Sequence, residues 1–133
     1  MTATAPVSSR RLWTGRVLSG LGALFMVFDG TIHILRITPV VDGFAQLGYP
    51  LGVSATLGVI ELACVALYLI PRTSVLGAIL LTGYLGGAIA TQVRIGAPLF
   101  STTLFPIYIA LLLWGGLYLR DDRVRSLIPL RSY

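Results

Sequence analysis

The stretch Thr73–Arg94, TSVLGAILLTGYLGGAIATQVR, constrains this chain more than any other. Twenty-one residues pass without a charge before Arg94 closes the run. At ~1.5 Å of rise per residue that length crosses a bilayer core of roughly 30 Å. Ser74, Ala78, Thr82, Gly86 and Ala90 repeat every four residues, with Gly83, Gly87 and Thr91 beside them. Residues four apart share a helix face. In lipid, helices associate by close backbone approach rather than by a hydrophobic drive. The pattern therefore predicts a central membrane helix whose neighbours close on Ala78, Thr82, Gly83, Gly86, Gly87 and Ala90.

Composition points the same way. Of 133 residues 56% are hydrophobic and 11% charged, against about 25% charged in a soluble domain. The chain reads as a one-domain membrane protein. Its net charge of +5 comes from arginines at the ends of apolar runs. That placement is membrane anchoring and orientation rather than a nucleic-acid footprint, so no nucleic-acid partner is expected. Cys64 is the single cysteine. It excludes an internal disulfide and a Cys-x-x-Cys centre, and it reads as a packing residue.

Taken in order, residues 1–13 form an N-terminal tail. Ser9-Arg10-Arg11-Leu12-Trp13 has a twin-arginine look, but the apolar run after it is long, contains Asp29 and lacks a small-residue cleavage site. It reads as a retained first helix over 14–36. Thr38 to Gly48 then suggests a short interfacial helix, with Thr38 as cap, Pro39 in the first turn and Gly48 at the end. Val40, Val41, Phe44 and Leu47 give it an apolar side suited to the headgroup boundary. Further membrane helices are expected over 50–70, 73–94 and 99–119. Thr73 is placed to cap the third, and Pro106 should bend the fourth, with Thr102 and Thr103 near the freed carbonyls. Residues 120–133 read as a basic tail. The predicted class is an all-α, integral membrane four-helix bundle spanning 14–119.

Four crossings place both termini on one side. Arg10, Arg11, Arg16, Arg72, Arg120, Arg123, Arg125 and Arg131 gather there, against Arg36 and Arg94 opposite. The positive-inside rule makes the first side cytoplasmic, as for a multi-pass protein of the bacterial inner membrane. So strong a bias excludes an antiparallel dimer and leaves a parallel homo-oligomer open.

Asp29, His33 and Arg36 share one face of the first helix, and Glu61 sits mid-way along the second. A charge at bilayer depth costs roughly 2.5–3.5 kcal/mol, so such groups face the bundle interior and pair. Helical rise puts His33 about 5 Å and Asp29 about 10 Å below Arg36, with Glu61, Tyr84 and Tyr108 at about 15 Å. The outer half thus collects Asp29, His33, Arg36, Glu61, Tyr84, Gln92, Arg94 and Tyr108, while the inner half offers Ser19, Cys64 and Tyr68. This predicts a pocket closed at the bottom rather than a pore. Two uses follow. Asp29–Arg36 and Glu61–Arg94 are ion pairs that set helix register, or the cluster binds a quinone headgroup, a small anion, a lipid or a proton. One His with two carboxylates on two helices is a weak metal pattern, and no metal is assigned.

The stretches DGTIHILRITPVVDGFAQLGYP, LGVIELACVALYLIPRTSVLGAILLTGYLGGAIATQVR and LLLWGGLYLRDDRVRSLIP resemble the DoxX-like family of small bacterial membrane proteins. The resemblance runs from Leu18 to Pro129 and implies a four-helix membrane bundle. It also implies a link to thiosulfate:quinone oxidoreduction, to membrane complexes that handle thiol oxidative stress, or, through distant relatives, to membrane chaperones and cargo receptors. Relatives often carry His where this chain has Gln92. No catalytic motif, Cys pair, haem-ligand pair or nucleotide loop is complete here, so an enzyme is not expected and electrons would come from a membrane redox partner. The leading expectation is an accessory or small-molecule-binding subunit of a membrane redox assembly, with a quinone as its ligand. The alternatives are a proton-coupled transporter that uses Glu61, or a membrane chaperone without ligand chemistry.

Overall fold

The first helix starts where a side chain caps it. In the computed structural model, which describes residues 8–128, the Ser8 hydroxyl accepts the Arg11 amide at 3.3 Å. Helix α1 (Ser9–Leu35) therefore begins at Ser9 rather than near Thr14. It ends at Arg36, in the left-handed conformation (φ 53°), whose amide bonds the Ile32 carbonyl at 2.9 Å. Helix α2 (Thr38–Leu47) follows, with Ile37 in the cap position and Pro39 in the first turn. Thr38 is thus the first helical residue and does not cap. Gly48 (φ 72°) stops α2.

Helices α3 (Gly52–Leu69) and α4 (Ser74–Arg94) form a hairpin around Pro71 and Arg72. Thr73 precedes α4, but its hydroxyl turns back to the Leu67 carbonyl at 2.7 Å and closes the hairpin instead of capping. The last crossing departs from a bent helix. Leu99–Thr103 is a π-helical turn, in which the Thr103 and Leu104 amides reach back to the Pro98 and Leu99 carbonyls at 3.0 and 2.9 Å. Pro106 lacks an amide and cannot follow a continuous helix, so it sits in the first turn of α5 (Phe105–Arg120). The Thr103 hydroxyl donates to the Ala97 carbonyl at 3.2 Å.

Four segments are long and apolar enough to cross a membrane: α1, α3, α4 and the π-turn with α5. They form an all-α bundle in which α1 packs on α3 and α5, α3 on α4, and α4 on α5. Glycines set the closest approaches. A Cβ on Gly116 would lie 2.3 Å from Ser19 Oγ and 2.7 Å from the Gly15 carbonyl; one on Gly58 would lie 2.6 Å from the Gly30 carbonyl. Gly77 is equally tight against the backbone of Tyr68. The helix on which the bundle closes is α1, not α4.

This corrects the reading of the α4 stripe. Its inner part, Ser74, Gly77 and Ala78, is buried, and Thr82 accepts the Trp114 indole N–H at 2.7 Å. Further out, nothing lies within 4 Å of a Cβ added at Gly83, Gly86 or Gly87, and Ala90 is exposed. The four-residue repeat continues, but the neighbouring helices leave it. Spacing alone cannot show which part of a small-residue face meets another helix.

The inner half is closed by a polar chain. Tyr68 is fully buried, with its hydroxyl 2.8 Å from Ser19 Oγ and 2.6 Å from the Leu113 carbonyl. Arg120 donates from Nε to Ser19 Oγ at 3.0 Å and lies over the Tyr68 ring. At the same end Arg11 reaches the Leu119 carbonyl (3.0 Å) and Asp122 (3.2 Å), and Arg123 reaches the Pro71 carbonyl (3.2 Å). The start of the expected basic tail is instead a short helix, α6 (Asp122–Leu127). Asp121 caps it through the Arg123 amide, and Val124 is buried against the bundle. Most of the expected N-terminal tail, and Arg131, lie outside the described residues.

Candidate functional site

Glu61 is the group that needs explaining. It is fully buried on α3, and neither carboxylate oxygen has a hydrogen-bond partner. It is there because Gly30 and Gly58 let α1 and α3 touch backbone to backbone just beside it. That contact brings Asp29 and His33 opposite, and one ligand atom from each of Asp29, His33 and Glu61 lies within 4.8 Å of the others. His33 Nδ1 is 3.4 Å from the Asp29 carboxylate and 2.7 Å from the Asp29 carbonyl oxygen, which holds the ring against α1. Ser54 donates to the His33 carbonyl at 2.6 Å and fastens the same region to α3.

These groups line one wall of a cavity of about 530 Å³ in the outer half of the bundle. Tyr84, Gly83, Gly87 and Gln92 of α4 form the wall opposite, and Phe25, Met26 and Ile109 line its deeper, apolar end. Ser101, Thr102 and Phe105 complete it from the last crossing. Gly83, Gly87, Ser101 and Phe105 are exposed, so the cavity opens sideways between α4 and the start of α5. No lining residue comes from the inner half, which the Tyr68 chain occupies.

Helix α2 roofs the cavity. Its Val40 and Phe44 are buried against the bundle rather than turned to a headgroup layer. Phe44 meets His33 edge-on at 5.7 Å and Tyr49 at 6.0 Å, and the Tyr49 hydroxyl pairs with Thr91 at 3.1 Å. The Arg94 guanidinium donates to the Leu47 carbonyl, tying the end of α4 to the end of α2.

Of the residues expected here from sequence, Asp29, His33, Glu61, Tyr84 and Gln92 line the cavity. Arg36, Arg94 and Tyr108 do not. Arg36 terminates α1 and is exposed; Arg94 is held by α2; Tyr108 is 43% exposed and donates to the Phe100 carbonyl at 2.9 Å. Neither expected ion pair forms: Asp29 pairs with His33 rather than Arg36, and among the described residues no arginine reaches Glu61. Both arginines lie beyond the helix positions that converge: the Arg94 guanidinium takes the Leu47 carbonyl as its partner, and Arg36 is exposed. Phe44, Tyr49, Ser101 and Phe105 were not foreseen as cavity residues. Their arrangement depends on how α2 folds back and where the π-turn falls, and no periodicity encodes either.

No curated protein and no solved structure matches the chain. A family model does, over residues 17–116, three quarters of the length and all four membrane crossings. The chain belongs to the DoxX-like family.

Proposed function

We propose that this protein is a ligand-binding membrane subunit of a redox assembly, and that its cavity holds a quinone-like molecule. The observation that carries the reading is the cavity itself. Its volume of about 530 Å³ falls within the roughly 300–1,000 Å³ of small-molecule sites. Its mouth faces the acyl region of a bilayer, where a lipid-soluble quinone travels. Its apolar floor suits a ring, and the Tyr84 hydroxyl and the Gln92 amide supply hydrogen-bond donors for two carbonyl oxygens. Electrons would enter from a partner protein, since the chain completes no redox-cofactor motif. The test is titration of the purified chain in nanodiscs, in the presence of EDTA, with a short-chain ubiquinone or menaquinone. Saturable binding that weakens about tenfold in Tyr84→Phe and in Gln92→Ala supports the reading. Binding that is non-saturable, or indifferent to both changes, overturns it.

The unpartnered Glu61 carboxylate favours one second reading, a proton-coupled transporter. Against it, the inner half is filled by the Tyr68–Ser19–Arg120 chain, so a substrate in the cavity meets a closed floor. Uptake of substrate into proteoliposomes driven by a pH gradient, and abolished by Glu61→Gln, would favour transport over binding. For orientation, we place the end carrying Arg11, Arg72, Arg120 and Arg123 in the cytoplasm of a bacterial cell, by the positive-inside rule. A C-terminal reporter active only outside the inner membrane would reverse that placement.

A further inference from the structure

We infer that Asp29, His33 and Glu61 form a binding site for one divalent cation of the zinc or manganese class, on the α1–α3 wall of the cavity. Gly30 and Gly58 let α1 and α3 meet closely: a Cβ on Gly58 would lie 2.6 Å from the Gly30 carbonyl and would push the helices apart, while one on Gly30 would press on the Leu62 side chain at 3.0 Å. Asp29 is one residue from the first glycine and Glu61 three from the second. The glycines thus set the distance across which the two carboxylates and the imidazole meet. Without them Glu61 would be a buried acid facing apolar packing.

The donor set fits a cation. Asp29 Oδ2 and His33 Nδ1 are 3.4 Å apart, about the edge of a tetrahedron with metal bonds of roughly 2.0–2.1 Å. The whole set lies within 4.8 Å, so modest side-chain rotations bring all three onto one ion. Nδ1–H now donates to the Asp29 carbonyl at 2.7 Å, so a cation at Nδ1 takes the place of that proton and breaks this bond as the ring turns, and the neutral imidazole keeps its proton on Nε2. One nitrogen and two carboxylate oxygens suit zinc or manganese better than a soft copper(I) ion or a hard magnesium ion.

Charge gives a second, independent reason. Glu61 is completely buried with both oxygens unpartnered, and its polar neighbours are Asp29, His33 and Tyr84. Arginine would be the ordinary solution, yet Arg36 is exposed at the end of α1 and Arg94 is exposed and donates to the Leu47 carbonyl. A buried carboxylate left without a partner is heavily penalised. Two carboxylates, a neutral imidazole and a divalent cation sum to zero charge, and the ion gives the buried Glu61 carboxylate a partner. Three protein ligands leave coordination positions directed into the cavity, the arrangement of a metal site that accepts a further ligand.

The inference does not require a quinone, and its experiment contains none. The full chain is purified in detergent, stripped with EDTA and titrated with Co²⁺, whose visible absorption reports nitrogen and oxygen ligands, with Zn²⁺ as competitor. One equivalent is expected, displaced by Zn²⁺. Affinity should fall at least about tenfold in His33→Asn and in Glu61→Gln, and stay unchanged in Asp42→Asn, whose acid lies exposed on α2. Zn²⁺ should also raise the thermal midpoint of the unmodified chain and not that of His33→Asn. This second readout needs only one variant, so misfolding of Glu61→Gln does not blunt it. No saturable Co²⁺ band together with no midpoint shift in the unmodified chain overturns the site. So does binding that His33→Asn leaves intact, since the ion would then sit elsewhere.

Discussion

Replacing Gly116 by Ala tests where this bundle closes. The new Cβ would stand 2.3 Å from Ser19 Oγ, 2.5 Å from the Ser19 amide nitrogen and 2.7 Å from the Gly15 carbonyl. Ordinary contact begins near 3.4 Å, so α5 must move by roughly 1 Å against backbone that cannot rotate away. Overpacking of this kind costs about 1–3 kcal/mol. The shift also stretches the chain through Ser19 to Tyr68 and Arg120, adding about 1 kcal/mol for a weakened buried hydrogen bond. Against this stands about 1 kcal/mol gained by Ala over Gly in a helix. The net expectation is a loss of about 2 kcal/mol. Gly86→Ala keeps the propensity gain and meets nothing within 4 Å, so it should be neutral or stabilising by up to about 1 kcal/mol. Both can be read by denaturant or thermal unfolding in one detergent. A Gly116→Ala protein as stable as its parent, or a Gly86→Ala protein that loses 2 kcal/mol, would refute the placement of the close helix contact on α1 and α5.

Three further outcomes follow from the same geometry. Tyr68→Phe removes the buried hydroxyl's bonds to Ser19 and to the Leu113 carbonyl, and unfolding measurements should show a loss of about 1–3 kcal/mol. Arg123 hydrogen bonds hold the Asp121 carboxyl below its usual 3.8, so its contribution to α6 is present above that pH and is lost as pH falls through the lowered value. Amide exchange at Val124, corrected for intrinsic rates, should therefore speed up in strong acid, and Asp121→Asn should remove that dependence. Arg94→Ala frees the Leu47 carbonyl at an exposed site, so the unfolding midpoint should barely move while amides of α2 exchange faster; unchanged exchange would mean that the guanidinium does not hold the roof.

The fold was legible because hydropathy and length alone decide that backbone crossing a bilayer must be helical. That Asp29, His33, Glu61, Tyr84 and Gln92 fall towards one end of the bundle, where they line one cavity, follows from their positions along the helices. Lateral matters were not. The repeat on α4 looks the same where it packs, at Ala78, and where it faces open space, at Gly86. Only the relative tilt of helices separates the two, and tilt is set by contacts such as Gly15–Gly116 that are far apart in the chain. Arg36 and Arg94 were assigned to the carboxylates by charge complementarity. Instead Arg36 itself forms the exposed left-handed turn that ends α1, and the Arg94 guanidinium donates to a carbonyl at the end of α2. Backbone groups compete for long cationic side chains, and no pairing rule based on depth includes them.

The same tilt explains why one end of the molecule is filled and the other hollow. Small residues at the inner end, Gly15, Ser19, Gly77 and Gly116, bring backbones together, and the polar atoms left there satisfy one another through Tyr68. At the outer end α1 and α3 still touch through Gly30 and Gly58, but α4 runs past with glycines that meet nothing. A glycine that packs against no helix lowers helix stability by about 1 kcal/mol relative to Ala. Gly83 and Gly87 instead leave room in front of Tyr84 and Glu61. Methyl groups at both positions would narrow the mouth between α4 and α5 without touching any existing contact. Gly15, Gly22, Gly58 and Gly116 are thus required by close contacts between α1, α3 and α5, whereas Gly83, Gly86 and Gly87 on α4's outer half meet no neighbour, so helix packing does not account for them.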